Sequence, residues 1–383
     1  MLVLYLPANI MHSNVLAPKR RQHIEEFPLW LKVLKSAGIP ITVSFQTVDL
    51  EMLGRTTEDF NGLELLRAPY GHLMMSLYSG HPVMREHAKW QILNGITGNT
   101  NGFFFPEFDV PTSVINIQGK PIVPVLPDPS SVLYSSCDSG DINPEAAISQ
   151  YPAVSFNGMT LVPMVGVAEL QKKFFMWQRF PDDREKLDAL MSEVQTCSSQ
   201  NATTPRILFL DLEAPLVGSH HGLPIWERFF AEIRQRDLQR CFTSFEEASQ
   251  IWRRQQVSAP GVSSLIARDL VKWTRRAPQI QVTDRIKTSV HRKGGLSDRL
   301  VAQLTTSDLL SALGSKLEAK ITLTADQGPL EIGYDQSIID MGFALLAAVE
   351  QGRDPIAALR NCQTSEDGQW FMNRLADVLN SSN

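Results

Sequence analysis

The chain has 383 residues, 43% hydrophobic and 20% charged, with a formal net charge of -5. That length exceeds an ordinary single domain and supplies a large buried core, and the composition excludes a mainly disordered chain. The acidic balance excludes a general affinity for nucleic acid or anionic lipid, which reward clustered Lys and Arg, and leaves a neutral or polar substrate as the expectation.

In chain order, Leu2 to Leu6 reads as a buried first strand. It lacks the basic start, the long apolar run and the small-residue cleavage site of a secretory signal. No apolar stretch approaches the roughly 20 residues of a membrane-spanning helix, so a cytoplasmic protein without membrane contact is expected. Phe27 to Lys35 places apolar residues at helical spacing, and Gly38 supplies a stop before a second strand over Ile39 to Phe45. A helix over Arg85 to Leu93, ending near Gly95, leads into the Phe-rich run Gly102 to Phe105. This alternation predicts a parallel sheet.

Residues 111 to 162 are rich in Pro, Ser, Gly and Asp and read as loops between short strands such as Pro121 to Leu126. Helical spacing returns over Val167 to Val194, followed by a polar connector from Cys197 to Pro205. The strongest strand signal is Arg206 to Leu210. A helix over Pro224 to Arg236, a short strand over Cys241 to Ser244 and a helix over Phe245 to Gln255, capped by Ser244, complete this pattern. After Val257 the run Ser258-Ala259-Pro260-Gly261 marks a domain edge. The rest reads as mainly helical, apart from a strand or hairpin arm at Ala319 to Thr324 and the turn-rich Asp326 to Pro329.

Cys137, Cys197, Cys241 and Cys362 are scattered without zinc-site spacing and read as reduced structural thiols. His81 and His87 are six residues apart, so a helix would put them on different faces, and no metal or other cofactor is expected. The basic runs Lys19 to Arg21 and Lys272 to Arg276 read as solvated helix faces.

Two segments carry chemistry. Gly102-Phe103-Phe104-Phe105-Pro106-Glu107 and Ile207-Leu208-Phe209-Leu210-Asp211-Leu212-Glu213 each run an apolar strand into an acid, at the end of an α/β unit where active sites gather. Asp211 and Glu213 share a face by strand alternation. Two carboxylates converging from separate strands are what retaining glycoside hydrolysis requires, one as nucleophile and one as proton donor, about 5–5.5 Å apart. Phe104, Tyr70 and Trp226 offer ring faces for a sugar.

The run Ala68-Pro69-Tyr70-Gly71-His72, then Arg85, Gln91 and Ile92 in a helix, then Gly102 to Glu107, resembles the central block of glycoside hydrolase family 57. Asp211-Leu212-Glu213 is similar to that family's strand ending in Asp-x-Glu, and Val301 to Asp308 resembles its C-terminal Gln-x-Ser-Asp motif on a helix. The resemblance implies a distorted (β/α)7-type barrel over residues 1–256 and a mainly helical C-terminal domain over 257–383. It further implies a retaining hydrolase or transferase of α-glucan or oligosaccharide, with Glu107 as nucleophile and Asp211 as general acid/base. His72, Phe104, Tyr70, Glu213 and Asp308 would contact or support substrate. The first strand departs from the pattern. Where the family carries His-x-His-Gln-Pro, this chain reads Val3, Leu4, Tyr5, Leu6, Pro7, so a catalytically silent relative that binds carbohydrate or protein is the alternative expectation.

Overall fold

In the computed structural model, Leu2–Pro7 forms strand β1 with every side chain buried, so both faces of this strand are packed. The structure describes residues 1–8, 20–73, 82–104, 122–125, 152–156, 158–163, 183–199, 203–209, 223–258, 284–291, 296–306, 309, 321–325, 328–332 and 336–381. β1 pairs in parallel with β2 (Ile41–Ser44), and β2 with β3 (Glu64–Leu65). Further along are β4 (Ile122–Val125), β5 (Val154–Phe156) and β6 (Met159–Pro163); β6 runs parallel to β4 and antiparallel to β5. β7 (Arg206–Phe209) returns to the free edge of β1, giving the parallel order β3-β2-β1-β7. Single parallel bridges, Arg67 to Phe103 and Gly102 to Ile122, carry the pairing from this sheet towards β4.

Strand alternation divides β1 between two cores. Leu2, Leu4 and Leu6, with Leu208 of β7, face a helical layer. That layer includes α1 (Arg20–Lys35), and later α5 (Leu223–Gln235), each apolar at i, i+3 or i+4 spacing. Ile24, Phe27, Leu31 and Leu34 of α1 and Ile225, Trp226, Phe229, Phe230 and Ile233 of α5 all lie in this core. Trp30 and Trp226 meet edge to face across the two helices, centroids 6.3 Å apart. Between them in sequence lie α2 (Thr47–Leu53), α3 (Pro82–Leu93) and α4 (Asp183–Ser199). The other face of the sheet sends Val3, Tyr5 and Ile207 into a second core with Phe104, Ile122, Val162 and the helix α6 (Phe245–Gln255).

α6 is fixed at both ends. Ser244 accepts from Glu247 N while the Glu247 side chain returns to the Ser244 backbone, a full capping box. The Glu64 carboxylate of β3 also accepts from the amides of Phe245 (2.5 Å) and Glu246 (3.0 Å), anchoring the helix start to the sheet. Trp252 Nε1 donates to Pro205 O at 3.0 Å, just ahead of β7.

The C-terminal part contains α7 (Asp298–Leu304), a hairpin of β8 (Ile321–Ala325) and β9 (Gly328–Ile332), α8 (Gln336–Gln351), α9 (Pro355–Arg360) and α10 (Glu366–Asn380). Its core is shared with the N-terminal part: Val48, Met52, Tyr70, Met84 and Ala88 pack with Val301, Leu304, Met341, Leu345, Phe371 and Leu375. Among the described residues, no helix is long and apolar enough to cross a membrane.

Several elements differ from the sequence reading. Gly102 and Phe103 form single bridges, because each pairs with a different neighbour and, among the described residues, neither bridge extends into a ladder; Phe105, the expected end of this strand, lies outside the described residues. The strand expected over Cys241 to Ser244 is a turn of 3-10 helix at Gln239–Cys241 and one bridge from Phe242 to Leu2. Ser244 is already committed to capping α6, which leaves no room for more ladder. The helix expected from Phe27 begins at Arg20, and the one expected to end at Val194 runs to Ser199, with its expected start, residues 167–182, outside the described residues.

Candidate functional site

The carboxyl ends of β1 and β2 carry polar side chains in an otherwise apolar setting. Tyr5 Oη and Ser44 Oγ share a hydrogen bond of 2.9 Å, both residues being fully buried. Two residues on, Gln46 is buried beside Ala8 O and the carboxylate of Asp49, itself buried at the start of α2. Carboxyl ends of parallel strands are where α/β folds place ligands, since the loops leave the sheet there and the helix N-termini point in. Buried polar groups at that edge are therefore functional candidates.

Phe104 lies against the same point, its ring 6.1 Å from that of Tyr5 in an edge-to-face arrangement. Phe104 N donates to Arg67 O at 2.7 Å, which holds Phe104 beside the segment that follows β3. Phe209, the last described residue of β7, pairs in register with Tyr5. Glu107, Asp211, Glu213 and Asp308 lie outside the described residues.

Tyr70-Gly71-His72 lies beyond β3, against α2 and α3. Its backbone is pinned between two helices: Tyr70 O accepts from Val48 N of α2 at 2.9 Å, and Tyr70 N donates to Gln91 O of α3 at 2.8 Å. Gly71 N donates to Gln91 Oε1 at 3.3 Å, the Gln91 side chain being fully buried. Tyr70 is 2% exposed; its ring packs on Trp90 at 4.8 Å and its hydroxyl donates to Glu51 Oε2 at 2.8 Å. Burial first, and then the Glu51 carboxylate, push the Tyr70 phenol well above its usual range, so it remains a donor. His72 is 6% exposed, and burial pushes its imidazole down to about 3, so it is neutral at ordinary pH.

Trp226 is corrected outright. It is fully buried against Trp30, Phe229 and Phe230, so it serves the helical core and presents no face to a sugar. Its spacing on α5 with Ile225, Phe229 and Ile233 carried that signal. Tyr5, Ser44, Gln46 and Asp49 form no motif in the sequence, since each sits singly in or after an apolar strand. The alternation that sends Tyr5 to the opposite face from Leu4 was the available sign. Among the described residues, no group of three or more His, Cys, Asp and Glu side chains is placed to hold a metal ion.

No protein-family model and no curated protein sequence matches the chain. Among solved structures, it is similar to the 4-alpha-glucanotransferase from Thermococcus litoralis, with a TM-score of 0.49 and 10% identity over 95% of this chain and 60% of that one. It is also similar to the alpha-amylase AmyC from Thermotoga maritima, with a TM-score of 0.45 and 11% identity over 98% of this chain and 96% of that one. The chain spans 60% of the length of the first.

Proposed function

We propose that this chain is a retaining glycoside hydrolase or glycosyltransferase acting on α-glucan, built on a distorted barrel, with Glu107 as nucleophile and Asp211 as general acid/base. One observation carries the reading: the lead-ins to both acids converge on Tyr5. Phe104, three residues before Glu107, packs on its ring, and Phe209, two residues before Asp211, is its register partner in the sheet. Lead-ins that meet at one residue support the reading that the acids following them act as the pair double displacement needs.

The chemistry follows from that pairing. Glu107 attacks the anomeric carbon as the Asp211 acid protonates the departing glycosidic oxygen. Asp211 then removes a proton from water or from an acceptor sugar, whose oxygen displaces Glu107 and restores the configuration. Glu213 and Asp308 would support or bind substrate. Neutral His72 offers a hydrogen bond to a sugar hydroxyl without adding charge, and Phe104 offers an apolar edge to the ring. Tyr70, with its hydroxyl held by Glu51, enters through the segment it anchors. The reading needs no cofactor.

A second reading is favoured by β1, whose inward residues are Val3 and Tyr5 in place of sugar-binding imidazoles, with the Tyr5 hydroxyl engaged by Ser44. On this reading the chain binds glucan without turning it over. The discriminating experiment incubates purified protein with maltoheptaose beside Glu107→Gln and Asp211→Asn, with products separated by size. New shorter or longer oligomers from wild type and none from either variant is the expected result. Turnover that survives Glu107→Gln overturns the mechanism, and maltoheptaose binding without products from any of the three establishes the second reading.

A further inference from the structure

Three parts of the chain meet on Arg299, in the first turn of α7. Its guanidinium forks the Glu51 carboxylate of α2, Nη1 to Oε2 at 3.1 Å and Nη2 to Oε1 at 2.9 Å. Nη1 also donates to Val378 O at 2.7 Å and to Ser381 Oγ at 2.9 Å, at the end of α10. Its Cζ stands 5.3 Å from the centre of the Tyr70 ring, and the Tyr70 hydroxyl donates to the same Glu51 Oε2. The preceding residue, Asp298, pairs with His87 Nδ1 of α3. Two consecutive residues of α7 thus grip α2 and α3, the helices that pin Tyr70-Gly71-His72 through Val48 N, Gln91 O and Gln91 Oε1.

The chemistry of this grip is directional. The Arg299 and Glu51 side chains are only 12% and 22% exposed, so the pair gives up most of its hydration, and apolar side chains of similar volume would stabilise such a contact equally well. What an apolar replacement cannot supply is orientation. A planar fork fixes the Glu51 carboxylate in two dimensions, the carboxylate fixes the Tyr70 hydroxyl, and the guanidinium plane holds the ring. Behind Gly71, Ala302 of the same helix stands 3.6 Å from where a glycine-replacing Cβ would sit, so α7 also closes the far side of the segment.

We propose that Arg299 is a positioning residue: through Glu51 and Tyr70 it fixes the backbone that carries His72, so that the C-terminal helices set the geometry of the candidate site. The inference rests on the reading of His72 as a substrate contact. It is tested in the full chain with Arg299→Lys, which keeps the charge and loses the fork, and with Tyr70→Phe, which keeps the ring and loses the donor. The readouts are the His72 imidazole resonances, assigned with His72→Gln, hydrogen exchange at the Gly71 amide, thermal unfolding, and kcat and KM on maltoheptaose.

The expected result is a displaced His72 resonance and faster exchange at Gly71 in both variants, with kcat lowered about tenfold or more and KM little changed, the signature of a displaced contact. If Arg299→Lys does not fold, Tyr70→Phe carries the same comparison. Unchanged His72 resonance and Gly71 exchange in folded variants, whatever happens to thermal unfolding, overturn the proposal. Displaced resonances in a protein whose wild type leaves maltoheptaose intact support the positioning role and remove the glycosidase reading, so the two fail separately.

Discussion

At the scale of single residues, His72 ties the candidate site to pH. In the folded chain burial holds its imidazole down to about 3, whereas in an unfolded chain it titrates near 6.5, the ordinary value for histidine. Between those values the unfolded chain binds one more proton, so stability rises with pH. The contribution is fully present above about 6.5 and is lost progressively as pH falls towards 3. At about 1.4 kcal/mol per pH unit, the difference in unfolding free energy between roughly pH 6.5 and roughly pH 4.5 should be smaller by about 2 kcal/mol in His72→Gln than in wild type. Urea titrations at the two pH values measure it. Equal differences in the two proteins would mean that His72 protonates within the fold, and the neutral role given to it would fall.

At the scale of elements, α6 shows how a local signal fixes a long-range contact. Ser244 satisfies one amide of the helix start, and Thr243 Oγ1 donates to Glu247 Oε2 at 2.8 Å, so the capping pair is itself braced. Ser244→Ala should cost about 1 kcal/mol, seen as a lower urea midpoint at unchanged slope. No change would show that the Glu64 carboxylate alone anchors the helix start. This cap was legible in the sequence, as were β1, β2, β7 and α5, because each is written in residues within one turn or one alternation of each other. The parallel sheet followed from their order. The Phe-rich run was not legible as single bridges, because Gly102 takes Ile122 and Phe103 takes Arg67, and nothing local distinguishes that from a ladder. Tyr70 was legible as a member of a motif but not as a donor to Glu51, nor was Arg299, which closes on Glu51 from 248 residues away. An ion pair across such a separation leaves no periodic trace. Trp226 failed for the opposite reason: its helical spacing outweighed its chemistry.

At the scale of the molecule, the expected division at residue 257 falls between segments that share one core. α10 lies on the N-terminal part through several contacts: Arg21 N donates to Asp367 Oδ1 at 3.4 Å, the Arg21 guanidinium stands over the Trp370 ring at 5.8 Å, and Arg374 Nε donates to Met52 O. Beneath them Val48, Met52, Tyr70, Leu73 and Met84 are buried against residues of α7, α8 and α10. Exposing side chains of this kind costs about 1.5–3 kcal/mol each, and a native domain has only about 5–15 kcal/mol in total, so loss of the helical cover removes stability comparable to that whole amount. The full chain should therefore unfold in one transition, with tryptophan fluorescence and far-ultraviolet circular dichroism giving the same urea midpoint. A fragment of residues 1–256 should lack a cooperative transition. Two separated midpoints, or a fragment that melts like the intact protein, would show that the parts hold themselves up independently. Arg299 would then be a contact between finished domains, with no claim on the His72 segment. Coincident midpoints would make the C-terminal helices part of the structure that holds the candidate site.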